Sequence, residues 1–208
     1  MPTHDRSHPA GISIPTLPGP MRWIVPAAAC EIGPDGVLAI SAAARTDWFI
    51  DPGSGATTRD APALVTPVTG TWQLSAVVSA DHRATFDAGV LVIYHDDETW
   101  AKLCLERSPQ GETMVVSVVT RGVSDDCNSA VIAGHSSHLR ISRLERAFAF
   151  HHSDDGQGWH LARYFRLTDH ESAEVGFMAQ SPTGDGCTAT FRDIAFEPGL
   201  LTDLRSGA

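Results

Sequence analysis

Short stretches in which apolar and polar residues alternate recur along the chain with turn residues between them, and this pattern constrains the fold more than any other feature. VLAIS, TDWFI, TWQLSAVVS, AGVLVIYH, ETWAKLCLE, TMVVSVVTR, SHLRISR, RAFAFHH, GWHLARYF, VGFMAQ and TATFRDIAF each place apolar side chains at every second position. A period of two is the signature of a strand with one buried face. No stretch of a dozen residues combines a 3.6-residue period with capping signals, so helix should be confined to single turns. The pattern predicts an all-β, antiparallel β-sandwich. At 208 residues one such domain is the expected organisation. Pro and Gly punctuate the start, which predicts an extended N-terminal arm over 1–20, a single domain over 21–198 and a C-terminal tail over 199–208.

Charge narrows the partners. Fifteen Lys and Arg against 25 Asp and Glu leave a formal charge of −10, which argues against nucleic acid and against anionic membrane surfaces. No apolar run reaches the roughly 18 residues of a membrane span. The opening residues lack a basic segment followed by an apolar one, so they do not read as a secretory signal, and a cytoplasmic protein is expected. Cys30, Cys104, Cys127 and Cys187 are scattered, without the close pairs of a zinc site or the density of a disulfide scaffold, and are expected to be reduced thiols. Nothing in the sequence calls for a cofactor.

The stretch HDDETWAKLCLERS poses the functional question. Ala101, Leu103 and Leu105 supply an apolar face, yet the opposite set is Trp100, Lys102, Cys104 and Glu106. Closing the next hairpin with SPQG sets Leu105 opposite Met114, Leu103 opposite Val116 and Ala101 opposite Val118, all on the core side. Val115, Ser117, Val119 and Arg121 then join Trp100. The preceding strand, turned at Asp96 and Asp97, would add Ala88, Val90, Val92 and Tyr94 to the core and send Asp87, Gly89, Leu91 and Ile93 to the polar side. In this register Asp87 faces Glu106, and Gly89 leaves space beside Cys104. One sheet face would carry two carboxylates, Lys102, Arg121 and Trp100.

TDWFIDP, DDETWAKLCLE, VVSVVTRGVSDD, LRISRLERAFAFHHSDDGQGW and VGFMAQSPTGDG, in that order, resemble the bacterial and fungal family known as domain of unknown function 1349, also labelled regulation-of-enolase-like. The resemblance runs from about Met21 to Phe196. It implies a concanavalin A-like jelly roll, two antiparallel sheets with one concave face, a fold shared by sugar-binding modules and glycoside hydrolases. It carries over to Trp48, Asp51, Trp100, Lys102, Glu106, Thr120, Arg121, Ser124, Asp125, Arg140, Ser153, Asp155, Gly156 and Trp159, and brings no agreed catalytic residue. Where family members often carry an aromatic after the SD of VTRGVSD, this chain has Asp126 and Cys127.

Each constellation has a plainer reading beside it. Asp87 and Glu106 could form an acid/base or nucleophile pair of the glycosidase kind, or a salt-bridged surface neutralised by Lys102 and Arg121. The E-x-D-x-x-E strand motif of laminarinase-type hydrolases is missing. Trp100 could stack on a sugar ring or cover the sheet beneath a loop; Trp48 reads better as core. His138, His151 and His160 fall by parity on one side of three successive strands, a weak metal candidate without an orienting carboxylate. SDDGQGW reads as a hairpin turn with Trp159 capping the core. Phosphate loops and serine nucleophile elbows are absent from the sequence. The expectation is a carbohydrate-binding jelly roll without robust catalysis. Trp100, Lys102, Glu106, Asp87, Ser117, Arg121, Arg140 and Trp48 would surround a carbohydrate or other small polar ligand. The alternatives are a glycoside hydrolase using Asp87 and Glu106, and an interaction module for a metabolic enzyme such as enolase.

Overall fold

A computed structural model describes residues 12–208. Among them there is no helix, and hence none long and apolar enough to cross a membrane. The strands are β1 (Arg22–Val25), β2 (Ala29–Ile32), β3 (Leu38–Ala43), β4 (Trp48–Ile50), β5 (Thr57–Arg59), β6 (Ala63–Thr69), β7 (Trp72–Ala80) and β8 (Ala88–Asp96). There follow β9 (Thr99–Arg107), β10 (Thr113–Arg121), β11 (Ser124–Val131), β12 (Ser136–Arg143), β13 (Phe148–Ser153), β14 (His160–Phe165), β15 (Ser172–Gln180) and β16 (Gly186–Pro198). Two antiparallel seven-stranded sheets form a jelly-roll sandwich, one ordered β1-β6-β15-β8-β9-β10-β11 and the other β14-β13-β12-β7-β16-β3-β2. β4 and β5 make a separate two-stranded hairpin.

The apolar residues divide into two clusters. Between the sheets lie Leu91, Ile93, Ala101, Leu103, Leu105, Val115, Val119, Val175 and Phe177 against Leu74, Leu139, Ile141, Phe150 and Phe191 of the second sheet. On the opposite face of the first sheet a smaller cluster gathers Trp48, Val90, Val92, Trp100, Cys104, Val116, Val118 and Met178. That face is roofed by the β4–β5 hairpin, so the first sheet is buried on both sides. Ile14 and Leu17, from the expected arm, are buried in the inner cluster, while residues 1–11 lie outside the described residues.

Register overturns part of the sequence-derived pairing. β9 presents its faces as alternation predicts, but Leu105 pairs with Val115 and Glu106 with Met114, one residue away from the expected register. The β9–β10 loop has five residues, with the Ser108 N–H donating to the Glu112 carbonyl at 2.8 Å, and one extra loop residue turns every β10 side chain over. An irregularity between Tyr94 and Asp96 does the same to β8, so Ala88 rather than Asp87 stands across from Glu106. Val90, Val92, Tyr94, Met114, Val116 and Val118 therefore share the face of Trp100, and Leu91, Ile93, Val115, Ser117 and Val119 point between the sheets. Gly89 leaves no open space beside Cys104: it faces the second sheet, where an added Cβ would sit 2.7 Å from Val78.

Candidate functional site

Strand β9 runs through the middle of the first sheet, and its outward positions supply the chemistry. Lys102 is buried to 2% exposure and donates from Nζ to the Asp47 carboxylate and to Gln180 Oε1, each at 2.9 Å. Burial alone pushes an ammonium down. The Asp47 carboxylate leads the groups that more than offset that, and Lys102 is raised above its ordinary range. Gln180 extends the line: its Nε2 donates to Glu106 Oε2 at 3.4 Å and to the Phe86 carbonyl at 3.2 Å. Glu106 is the counterpart of Lys102. Burial pushes its carboxyl up to about 8 against the pull of the lysine, with Asp126 and Asp47 adding to the rise. At neutral pH it carries a proton and can donate one hydrogen bond.

These groups open into a cavity of about 140 Å³ lined by Asp47, Phe49, Phe86, Lys102, Glu106, Val118, Asp126 and Gln180. Asp126 comes from β11, where it stands opposite Val118, and the surrounding protein raises its carboxyl too, burial first. Phe49 hangs from the roof hairpin, pinned where the Ile50 N–H donates to Ser124 Oγ at 2.9 Å. Phe86 has φ +70°, a left-handed conformation uncommon for a residue with a bulky side chain and a form of strain that clusters at functional sites. Cys104, between Lys102 and Glu106 on the strand, is wholly buried and its thiol is pushed well up by burial, so it is no nucleophile at neutral pH.

The residues expected from sequence are only partly brought together. Lys102 and Glu106 line the cavity. Trp100 shares their face but is completely buried, packed edge-on against Trp48 with ring centroids 5.8 Å apart. Both indoles belong to the roofed cluster and neither is a free platform. Trp48 donates from Nε1 to the Ala61 carbonyl at 2.9 Å.

Asp87 is elsewhere. Its carboxylate accepts from the Arg83 and Ala84 amides at 3.0 and 2.8 Å and from Ser181 Oγ at 2.7 Å, fastening the 81–87 loop to the end of β15. Ser117 points between the sheets, near Arg163. Arg121 is exposed at the end of β10 and donates to the Arg166 carbonyl. Arg140 lies on the outer face of the second sheet, with Trp159 beside it rather than in the core. His138, His151 and His160 do not converge: they pair across strands with Ser153, Arg140 and His152 respectively, and no metal-binding group of His, Cys, Asp and Glu occurs among the described residues. The four cysteines are free.

Asp47, Phe49, Phe86 and Gln180 escaped sequence reasoning, although Asp47 and Phe49 stand inside the family stretch TDWFIDP and Gln180 inside VGFMAQSPTGDG; Asp126 stood out only as a departure from the family pattern.

The sequence matches the family described as Protein of unknown function (DUF1349) over residues 23–199. The chain belongs to that family. No curated protein matches it. Among solved structures, a functionally unknown protein from Saccharomyces cerevisiae superposes with a TM-score of 0.79 at 23% identity, over 86% of this chain and 97% of that one. A xylan beta-1,4-xylosidase from Bacillus halodurans gives 0.63 at 13% identity over 81% of this chain, which spans 34% of the xylosidase. The carbohydrate binding module CBM66 from Bacillus subtilis gives 0.52 at 12% identity, over 84% of this chain and 94% of the module. At such identities the likeness is one of fold.

Proposed function

We propose that this protein binds a neutral sugar or similar polyol in the cavity under the β4–β5 hairpin. The observation that carries the reading is the buried line Lys102–Gln180–Glu106 ending in that cavity. Lys102 has three N–H donors and spends two on Asp47 and Gln180, leaving one; protonated Glu106 offers an O–H; Asp126 accepts. Alternating donors and acceptors beside the rings of Phe49 and Phe86 suit a molecule whose hydroxyls both give and take hydrogen bonds along an apolar ring face. The fold likeness to a carbohydrate binding module and to a xylosidase supports the same reading by analogy.

Charge sets the class of sugar. The sequence-derived cleft had Arg121 and Arg140 beside Lys102, but here the one ammonium is already paired with Asp47 and a further acidic residue, Asp126, lines the cavity, so an acidic sugar finds no free cation. The hydrolase reading loses its pair, because Asp87 is consumed in loop hydrogen bonds and does not face Glu106.

Calorimetric titration with neutral oligosaccharides, amino sugars and uronates tests the reading. Neutral sugars should bind, uronates at least tenfold more weakly, and Gln180→Ala and Asp126→Ala should each weaken neutral-sugar binding at least tenfold while circular dichroism stays unchanged. No binding to any sugar at millimolar concentration, or affinity untouched by both substitutions, would refute it.

A further inference from the structure

The outer face of the second sheet holds a charged group without an ion-pair contact, Glu197 acting on it only from a distance. Arg140 alternates with Leu139 and Ile141 of the inner cluster and so points away from the sandwich. It is only 8% exposed, with its guanidinium carbon 4.0 Å from the centroid of the Trp159 ring. Among the described residues no carboxylate lies within ion-pair distance of it. Its Nη2 donates to the backbone carbonyl of Gly207, and its Nε is buried without an acceptor. Opposite it on β13, His151 is wholly buried, bonded through Nε2 to the Leu204 carbonyl at 2.8 Å, with Nδ1 unpartnered.

The cover over these groups is the C-terminal segment. It is a small closed turn in which the Thr202 and Asp203 amides donate to the main-chain oxygen of Ala208 at 2.7 and 3.0 Å, and Asp203 Oδ1 accepts from the Arg205 amide at 2.7 Å. Gly207, at φ +68°, is the residue that enters the slot, where a Cβ would run into Arg140 Nη2 and come within 2.8 Å of Trp159 Cβ. A guanidinium carries five donors in a planar fork matched to an oxyanion, and burying that charge without an anionic partner is unfavourable. A single neutral carbonyl is a poor substitute.

We propose that Arg140, stacked on Trp159, forms a binding site for a small oxyanion, a carboxylate or a phosphate, and that the Gly207 carbonyl of the C-terminal segment occupies it in the unliganded protein. Ligand and segment compete for the same fork. The site lies on the opposite sheet from the sugar cavity and is independent of it. Within a chain of net charge −10 it is a local exception, which makes a specific, fork-shaped anion contact easier to detect over nonspecific attraction.

The test loosens the segment without shortening the chain. Gly207→Ala drives it out by the Cβ overlap, and Asp203→Ala removes the side chain that closes its turn. Acetate and inorganic phosphate are titrated separately into wild type and both variants, following the side-chain Nε–Hε resonance that Arg140→Gln deletes. One of the two anions should bind each variant at least tenfold tighter than wild type, and adding Arg140→Gln should abolish the gain. Preference for acetate identifies a carboxylate ligand, preference for phosphate a phosphorylated one. Equal affinity in wild type and both loosened variants, or a gain that survives Arg140→Gln, overturns the proposal. Should Gly207→Ala fail to fold, Asp203→Ala decides alone.

Discussion

The two faces of β9 are equally dry and chemically opposite. Ala101, Leu103 and Leu105 on one side and Trp100 and Cys104 on the other all have 0% exposure, and Lys102 has 2%. Burial therefore does not separate core from candidate site in this sheet. What separates them is what each face meets. The inner face meets the apolar side chains of the other sheet, where shape alone is satisfied. The outer face meets a short hairpin and loop ends, which bring Asp47 and Gln180 to the lysine and leave a gap next to it. A polar group inside a protein is tolerable when partnered, and the unfilled remainder of its hydrogen-bonding capacity is what a ligand can use.

That contrast can be broken by mutation. Lys102→Ala should have the largest effect, about 3–5 kcal/mol, because it strips the partner from a largely buried carboxylate and from Gln180; a loss below about 1 kcal/mol in urea unfolding would show that Asp47 is rescued by water. Leu103→Ala, on the inner face, should cost about 2–5 kcal/mol through cavity formation, and differs in kind: sugar affinity should stay within twofold of wild type, whereas a tenfold loss would mean that the two faces are coupled.

Near pH 5, where folded and unfolded chains hold almost the same number of protons, Glu106→Gln should give the smallest change of the three, and its pH dependence is the most diagnostic. Burial holds the folded carboxyl at about 8 while the unfolded chain releases its proton near 4.5. Between those values the folded state binds the extra proton, so wild-type stability falls as pH rises, by up to about 1.4 kcal/mol per pH unit, and levels off above about pH 8. Glutamine keeps the shape and the acceptor for Gln180 and removes the titration. The stability advantage of Glu106→Gln should widen from pH 5 to pH 8 and then stay flat; parallel pH profiles for the two proteins would show an ordinary, solvated carboxylate.

Much of this was legible in the sequence. Alternation alone identifies the sandwich, and within β9 it sorts Leu103 and Leu105 from Lys102 and Glu106 correctly. It fails one strand away on either side. A five-residue loop where four residues were counted, and a single irregularity near His95, are below the resolution of a hydrophobic pattern in strands buried on both faces, because Leu91 and Val92 look alike from either side. The same blindness paired Asp87 with Glu106. Gln180 and Phe86 were unreadable for another reason: they reach the cavity from a strand end and a loop distant in the chain, and no local signal encodes that meeting. Arg121 and Arg140 were misplaced because their charge suggested a cleft, whereas one ends a strand in solvent and the other lies on the far sheet.

The β4–β5 hairpin belongs to neither seven-stranded sheet. The sandwich closes its hydrogen-bond ladders without it, yet Phe49 and the neighbouring Asp47 form part of the cavity wall. In its turn, DPGSG, Asp51 Oδ1 accepts from the Gly53 and Ser54 amides at 3.0 and 2.6 Å, and Ser54 Oγ from the Ala56 amide at 3.2 Å. Insertions and substitutions beyond that turn fall on an exposed tip and leave the ladders intact. Changes at that tip can thus reshape the mouth of the pocket without touching the ladders of either sheet, while Trp48 on the same hairpin stays fixed in the buried cluster.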